Sequence, residues 1–143
     1  MGVVGNSELV KRVLGRWDCA DIAFLRRFAF ENVDDGALFD LSLVVLLQPR
    51  PPHSARWPDS RGAFWELEIV FQRVRDLKIT VTGPWDIQTP GFVIEDIGAW
   101  QWEGIGLRVY DEEGAPVAFN AQSANVRWCR PAESGPACPT FSR

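Results

Sequence analysis

The sequence is poor in the residues that most often carry catalysis or hold metals. It has one histidine, His53, and three cysteines, Cys19, Cys129 and Cys138, with no C-x-x-C pair. A histidine-based triad or proton shuttle would have to use His53. That residue stands between Pro52 and Ser54 in a proline-rich stretch, and catalysis needs rigid positioning, so a solvent-exposed role is expected. One histidine and three scattered thiols give no zinc-ligand spacing, and there is no Asp-x-Asp-x-Asp-Gly calcium loop. Gly104-Ile105-Gly106 lacks the third glycine, the lysine and the strand-to-helix setting of a phosphate loop, and reads as a turn or bulge. No metal or cofactor is expected.

Long apolar runs and a basic excess are missing as well. Nowhere do 18 apolar residues follow one another, which argues against a membrane helix. The start, Met1 to Ser7, has no basic region followed by an apolar core, so no secretory signal is expected. Ser7 falls one place late for a simple myristoylation pattern. A cytoplasmic location follows as the expectation, and with it free thiols. In an oxidising compartment the pair Cys129–Cys138 would close a short loop. Thirteen of the fifteen basic residues are arginine, against nineteen acids, and the net charge is −4. Residues 1–75 balance ten basic against ten acidic residues, whereas residues 76–143 carry five against nine. An acidic half argues against a nucleic-acid binder and is compatible with a basic protein partner.

What the chain does have is apolar and aromatic mass. Of its 143 residues 46% are hydrophobic, with seven tryptophans and nine phenylalanines. That suits one domain, residues 1–143, large enough for a core without a metal or disulfide framework. Residues 6–17 read as a short helix with Asn6 or Ser7 as cap. Its apolar face is Leu9, Val10, Val13, Leu14 and Trp17, expected to lie on a sheet as a lid, with Gly15 weakening the last turn.

From Asp21 the periodicity changes to two. Ile22, Phe24, Phe28 and Phe30 alternate up to a turn at Asp34-Asp35-Gly36. Phe39, Leu41, Leu43, Val45 and Leu47 follow, with Val44 and Leu46 filling the other face, so the end of this strand is expected to be covered on both sides. Residues 48–63, with four prolines, read as an extended or mobile loop. Trp65, Leu67, Ile69 and Phe71 alternate, as do Leu77, Ile79 and Val81, and Arg73–Asp76 between them is a hairpin turn or a bulge. Residues 92–102, 105–111, 116–121 and 125–130 read as further strands, and 131–143 as an irregular tail. The fold class expected is mainly β, with α+β as the alternative. It is an antiparallel meander of about seven or eight strands, forming a curved sheet or a barrel, with one short N-terminal helix.

The abundant reactive groups are carboxylates. Glu95 and Asp96 are adjacent on a strand, so their side chains point to opposite faces and form no local acid–base pair. Asp111-Glu112-Glu113-Gly114 has the composition of a polar turn. A solvated acidic face is favoured over a catalytic or metal site. The feature most suggestive of binding is Trp100-Gln101-Trp102-Glu103, where period two puts both tryptophans on one face. They belong either to the core or to an exposed anchor ringed by Glu95, Asp96 and Glu103, and tryptophan often dominates interface energy. Trp85, between Pro84 and Asp86, extends such a patch. The candidate interface is therefore Trp85, Glu95, Asp96, Trp100, Trp102 and Glu103.

One resemblance runs through residues 64–121. The segments Phe71-Gln72-Arg73-Val74-Arg75-Asp76-Leu77-Lys78-Ile79, Gly91-Phe92-Val93-Ile94-Glu95-Asp96-Ile97, Gln101-Trp102-Glu103-Gly104 and Val109-Tyr110-Asp111-Glu112-Glu113 carry it. This pattern of strands and turns resembles small bacterial β-rich proteins, some of them similar to immunity proteins of polymorphic toxin systems. The resemblance implies neutralisation of a toxin by direct binding, with no reaction of the protein's own, and the acidic half makes occlusion of a basic toxin domain the expected mode. The resemblance assigns no functional residue. The alternatives are a carrier of small hydrophobic ligands, with the helix as lid on an aromatic-lined sheet, and a structural or interaction subunit. An enzyme using Glu95 or Glu103 is the least favoured reading.

Overall fold

The alternating stretches of the sequence form strands, half of whose pairings are with neighbours in sequence. The computed structural model describes residues 4–33, 38–51, 57–81, 83, 86–89, 91–98, 106–111 and 117–137. Among them are nine strands: β1 (Val4–Gly5), β2 (Ile22–Val33), β3 (Leu38–Leu47), β4 (Trp65–Ile79), β5 (Ile87–Gln88), β6 (Phe92–Asp96), β7 (Leu107–Asp111), β8 (Val117–Ala121) and β9 (Ser123–Pro131). They form one sheet in the order β5-β2-β3-β4-β8-β7-β6, with β9 beside the first half of β4. All pairs are antiparallel except the two-residue contact of β1 with β9. The fold is mainly β, as expected, and its sheet is curved and not closed into a barrel.

The curvature comes from β4. Its residues 65–72 pair with β9 and residues 75–79 with β8, and the register shifts between Arg75 and Lys78. Arg73 and Asp76 both have positive φ, at 53° and 57°, so Arg73–Asp76 is a bulged bend within one continuous strand and not a hairpin turn. A bulge raises the local twist, and here it folds the β6–β8 part over the β2-β3-β4-β9 part. The core fills the space between them. Leu41, Leu43, Val45 and Leu47 of β3 and Leu67, Ile69 and Phe71 of β4 meet Val109, Val117 and Phe119. Phe71 and Phe119 pack edge to face at 4.8 Å, a geometry worth about 0.5–1.5 kcal/mol beyond burial alone.

The sheet comes close to closing on itself. Its two edge strands, β5 and β6, are joined by residues 89–91 alone. Thr89 donates its N–H to the Ala23 carbonyl at 2.8 Å and its hydroxyl to the Ile22 carbonyl at 2.9 Å. Gly91 has φ 109°, and a Cβ there would lie 2.8 Å from the Ala20 carbonyl oxygen. The crossing therefore needs glycine for both conformation and space.

Several expectations are corrected in detail. The helix, α1, runs Glu8–Leu14 and not 6–17. Gly15 ends it in the left-handed conformation, donating its N–H to the Lys11 carbonyl, so it is the terminator and not a weak spot inside the last turn. Trp17 lies beyond the helix yet packs on the core with Leu9 and Leu14, while Val13 is 40% exposed. Neither candidate cap acts through its side chain: Ser7 makes no capping bond, and the Asn6 amide points to the Val126 carbonyl. The helix does lie on the sheet, against β9.

The strand expected over 92–102 ends at Asp96, and β7 begins at Leu107. In β2 the register shifts between Ile22 and Phe24 and again between Leu25 and Arg27. The simple alternation therefore fails, and Phe24 faces away from Ile22, Leu25, Phe28 and Phe30. On that outer face Phe24 joins Ala23, Leu46 and Phe64 in a second, smaller cluster flanked by Trp57 and Ala132. The end of β3 is thus covered on both sides, as its composition suggested.

The described part of the 48–63 segment is pinned, not loose. The buried Gln48 side chain donates to the carbonyls of Asp59 and Ala63 and accepts from the Asp59 N–H at 2.6 Å. Trp57 donates its ring N–H to the Gln48 carbonyl at 2.7 Å, with the Arg50 guanidinium stacked 3.7 Å over its ring. His53 lies outside the described residues. No helix among the described residues is long and apolar enough to cross a membrane.

Candidate binding surface

The acids that sequence reading left unassigned are drawn into a clamp on the outer face. Arg26 of β2 donates through Nε and Nη2 to Asp86 Oδ2, at 3.1 and 3.0 Å, and through Nη1 to Glu66 Oε2 at 3.2 Å. Its Nη2 also reaches the carbonyls of Ser134 and Gly135, at 3.3 and 2.7 Å. Arg130 of β9 holds the other oxygen of Glu66 through Nε and Nη2, at 3.1 and 2.8 Å, and its guanidinium stacks on Trp128. The Ala137 N–H donates to Asp86 Oδ2, and the Asp86 N–H donates to the Ala137 carbonyl.

This network straps residues 132–137 across β2, β4 and β9. Burial by itself would raise the Glu66 carboxyl pKa, but the hydrogen bonds from Arg130 and Arg26 outweigh it and hold that pKa below its ordinary value. For Arg26 burial works against the charge, yet its bonds to Asp86 and Glu66 win, and the pKa rises. Both carboxylates are occupied by arginine, so the cluster is a fastening and offers no free acid–base pair.

Other polar groups are engaged in the same way. Asp21, buried, takes both oxygens to Arg16, at 3.0 and 2.8 Å, and accepts the Arg50 N–H at 3.1 Å. Cys19 and Cys129 are free thiols. Burial raises both pKa values, which disfavours the reactive thiolate. Cys138 lies outside the described residues. No group of three metal-ligating side chains is found among the described residues.

Of the interface expected from sequence, Trp85, Trp100, Trp102 and Glu103 lie outside the described residues. Glu95 and Asp96 are on β6 and point to opposite faces. Glu95 sits across from Arg108 of β7. Asp96 Oδ1 accepts the Gly98 N–H at 3.0 Å and so closes a turn at the end of the strand. The structure does not bring these two acids together.

A different surface emerges from the sheet order. β5 pairs with β2 only at Phe24 and Leu25. From Arg27 to Val33, β2 has β3 on one side and no ladder partner on the other among the described residues. Such an edge presents a row of unpaired N–H and C=O groups. Phe30, on the core-facing side of this stretch, is 62% exposed and packs on Phe39 at 5.6 Å. Arg27, Ala29 and Glu31 lie on the outer face, opposite Val44, Ser42 and Asp40 of β3. Near the β5 end of the free edge is an open hollow of about 300 Å³, lined by Leu25, Arg27, Phe28, Ile87 and the exposed Val81.

The strand β2 is legible in the sequence, and its open edge is not. The alternation of phenylalanine with charged residues signals a strand, while which neighbour is missing depends on the whole sheet order. In comparison with known proteins, the chain matches no family model, no curated protein and no solved structure.

Proposed function

We propose that this protein is a non-enzymatic protein-binding module whose binding surface is the free edge of β2 with Phe30, and that it acts by covering its partner in the manner of an immunity protein occluding a toxin. The observation that carries this reading is the conjunction of a strand edge with no ladder partner among the described residues and a phenylalanine 62% exposed on the same stretch. Strand addition supplies main-chain hydrogen bonds for affinity, and alternate side chains supply selectivity. The clamp supports the same reading, because it spends Arg26, Glu66, Asp86 and Arg130 on holding the scaffold. The surplus of acids in residues 76–143 favours a basic partner through electrostatic steering.

The carrier reading draws less support. Phe71, Phe92 and Phe119 occupy the space between the two parts of the sheet, which makes that space a packed core and not a lined cavity among the described residues.

Native isolation of the tagged protein, run side by side with Phe30→Asp, tests the proposal. A stoichiometric basic protein recovered with the wild type, absent from the variant and released by salt, is the expected result. The same partner recovered equally by both would move the binding surface away from β2. A wild-type chain recovered with no other protein, in cells shown to be making the toxin, would count against occlusion.

A further inference from the structure

The free edge of β2 carries a side-chain pattern that reads the same when inverted about Ala29. The stretch is Arg27-Phe28-Ala29-Phe30-Glu31. Laid antiparallel against itself, it places Arg27 opposite Glu31, Phe28 opposite Phe30 and Ala29 opposite Ala29. Residues directly opposite one another in an antiparallel pair project from the same face. The outer face would thus hold two Arg–Glu pairs around a small alanine on the two-fold axis, and the core-facing side would hold two Phe–Phe pairs.

Among the described residues Arg27 and Glu31 find no charged partner, and the residue opposite Glu31 on β3 is another acid, Asp40. Directly opposed like charges destabilise a strand pair, so an incoming arginine beside Glu31 relieves a repulsion as well as making a new pair. Phe30 is the most exposed of the large hydrophobic residues among those described. Charged residues that served only to keep other strands away would need neither this alternation of sign nor this spacing.

We infer that the edge of β2 is occupied by a second copy of this chain, paired antiparallel about a two-fold axis through Ala29, with Arg27 of each copy facing Glu31 of the other. The inference rests on reading the β2 edge as a binding surface, and it names the occupant of that edge when no other protein holds it. Such an interface is isologous, with the same patch used on both subunits, and it closes at two copies. In the isolated protein this pairing covers both free edges, so any other protein that uses β2 competes with self-association.

Charge exchange tests the register itself. Sedimentation of the wild-type chain over a wide range of concentration is expected to show twice the mass of one chain. Arg27→Glu sets two carboxylates against each other at both ends of the pairing, and Glu31→Arg does the same with two guanidinium groups. Each is expected to weaken self-association by roughly tenfold or more, with an unchanged circular dichroism spectrum showing that the fold is intact. Mixing the two single variants gives one attractive charge pairing at each end that carries both substitutions or neither, and a one-to-one heterodimer is expected. The double variant Arg27→Glu/Glu31→Arg is expected to regain the homodimer.

A wild-type chain that is monomeric throughout the range would overturn the proposal. So would a dimer that neither single variant weakens, or single variants whose mixture fails to associate. Failure here is separable from failure of the proposed function. A monomeric wild type whose native partner is still lost on Phe30→Asp removes self-pairing and leaves the β2 edge as a binding surface.

Discussion

The two ends of β2 are built from similar residues and treated in opposite ways. At the first end, Ile22 and Leu25 face the main core, Ala23 and Phe24 face the second cluster, and all four are nearly or wholly inaccessible. β5 covers the edge there, and the Arg26 clamp straps residues 134–137 across the sheet beside it. At the other end, Phe30 is mostly exposed, the outer face carries Arg27 and Glu31, and the edge has no partner among the described residues. Phenylalanine at both ends shows that composition does not decide exposure. What differs is the set of elements that the fold brings against each end.

The comparison is tested most strongly by truncating the two phenylalanines. Phe24→Ala removes a ring packed edge to face on Phe64 at 5.9 Å and is expected to cost about 3–5 kcal/mol, read from denaturant midpoints. Arg26→Ala comes next. It strips Asp86 and Glu66 of a shared cation and frees Ser134 and Gly135, at an expected cost of about 2–3 kcal/mol, below the fully buried case because the pair retains some exposure. A smaller loss, confined to low salt, would mean that the strap does not hold the covered end.

Acidification gives a third, graded effect. Glu66 is held below its ordinary pKa in the folded chain, so its contribution is present above the unfolded carboxylate value, about 4.3 for glutamate. It is lost as pH falls from there through the folded pKa. Stability measured against pH is therefore expected to fall more steeply below about pH 4.3 in the wild type than in Glu66→Gln. Parallel curves would show that Glu66 does not carry this dependence. The smallest effect is expected at the open end. Phe30→Ala, read at low protein concentration, should change stability by less than about 0.5 kcal/mol. A loss like that of Phe24→Ala would show that the two ends are equally integrated.

Much of the fold was legible because alternation at period two survives in single strands. Leu41 to Leu47, Trp65 to Phe71 and the short strands near Phe92, Val109 and Phe119 announce themselves, and so does the doubly covered end of β3 at Val44 and Leu46. Alternation misleads where one residue is added or one glycine intervenes. The shifts around Ala23 and Arg26 reverse which face Phe24 takes, and Gly15 stops the helix short of Trp17. Gln48 gave no local sign of organising residues 57–63, because its partners there are mostly backbone groups that any residue supplies. The expected interface was the least legible part. Of its residues only Glu95 and Asp96 are described, and adjacency on a strand already separated them.

The sequence by itself determined the mainly β class, the positions of the long strands and the terminal placement of the one helix, because side-chain periodicity and turn residues act over a few neighbours. It also set the inverted order Arg27-Phe28-Ala29-Phe30-Glu31, which is there to be read in the chain. Only the tertiary structure decided that β4 bends at Arg73 and Asp76 and that Arg26 gathers Glu66, Asp86 and the backbone of Ser134 and Gly135. It alone decided that β2 keeps an edge from Arg27 onward with no partner among the described residues. The contacts of Arg26 alone join residues 40 to 109 positions apart, and local pattern carries no record of which distant strand fills a given side.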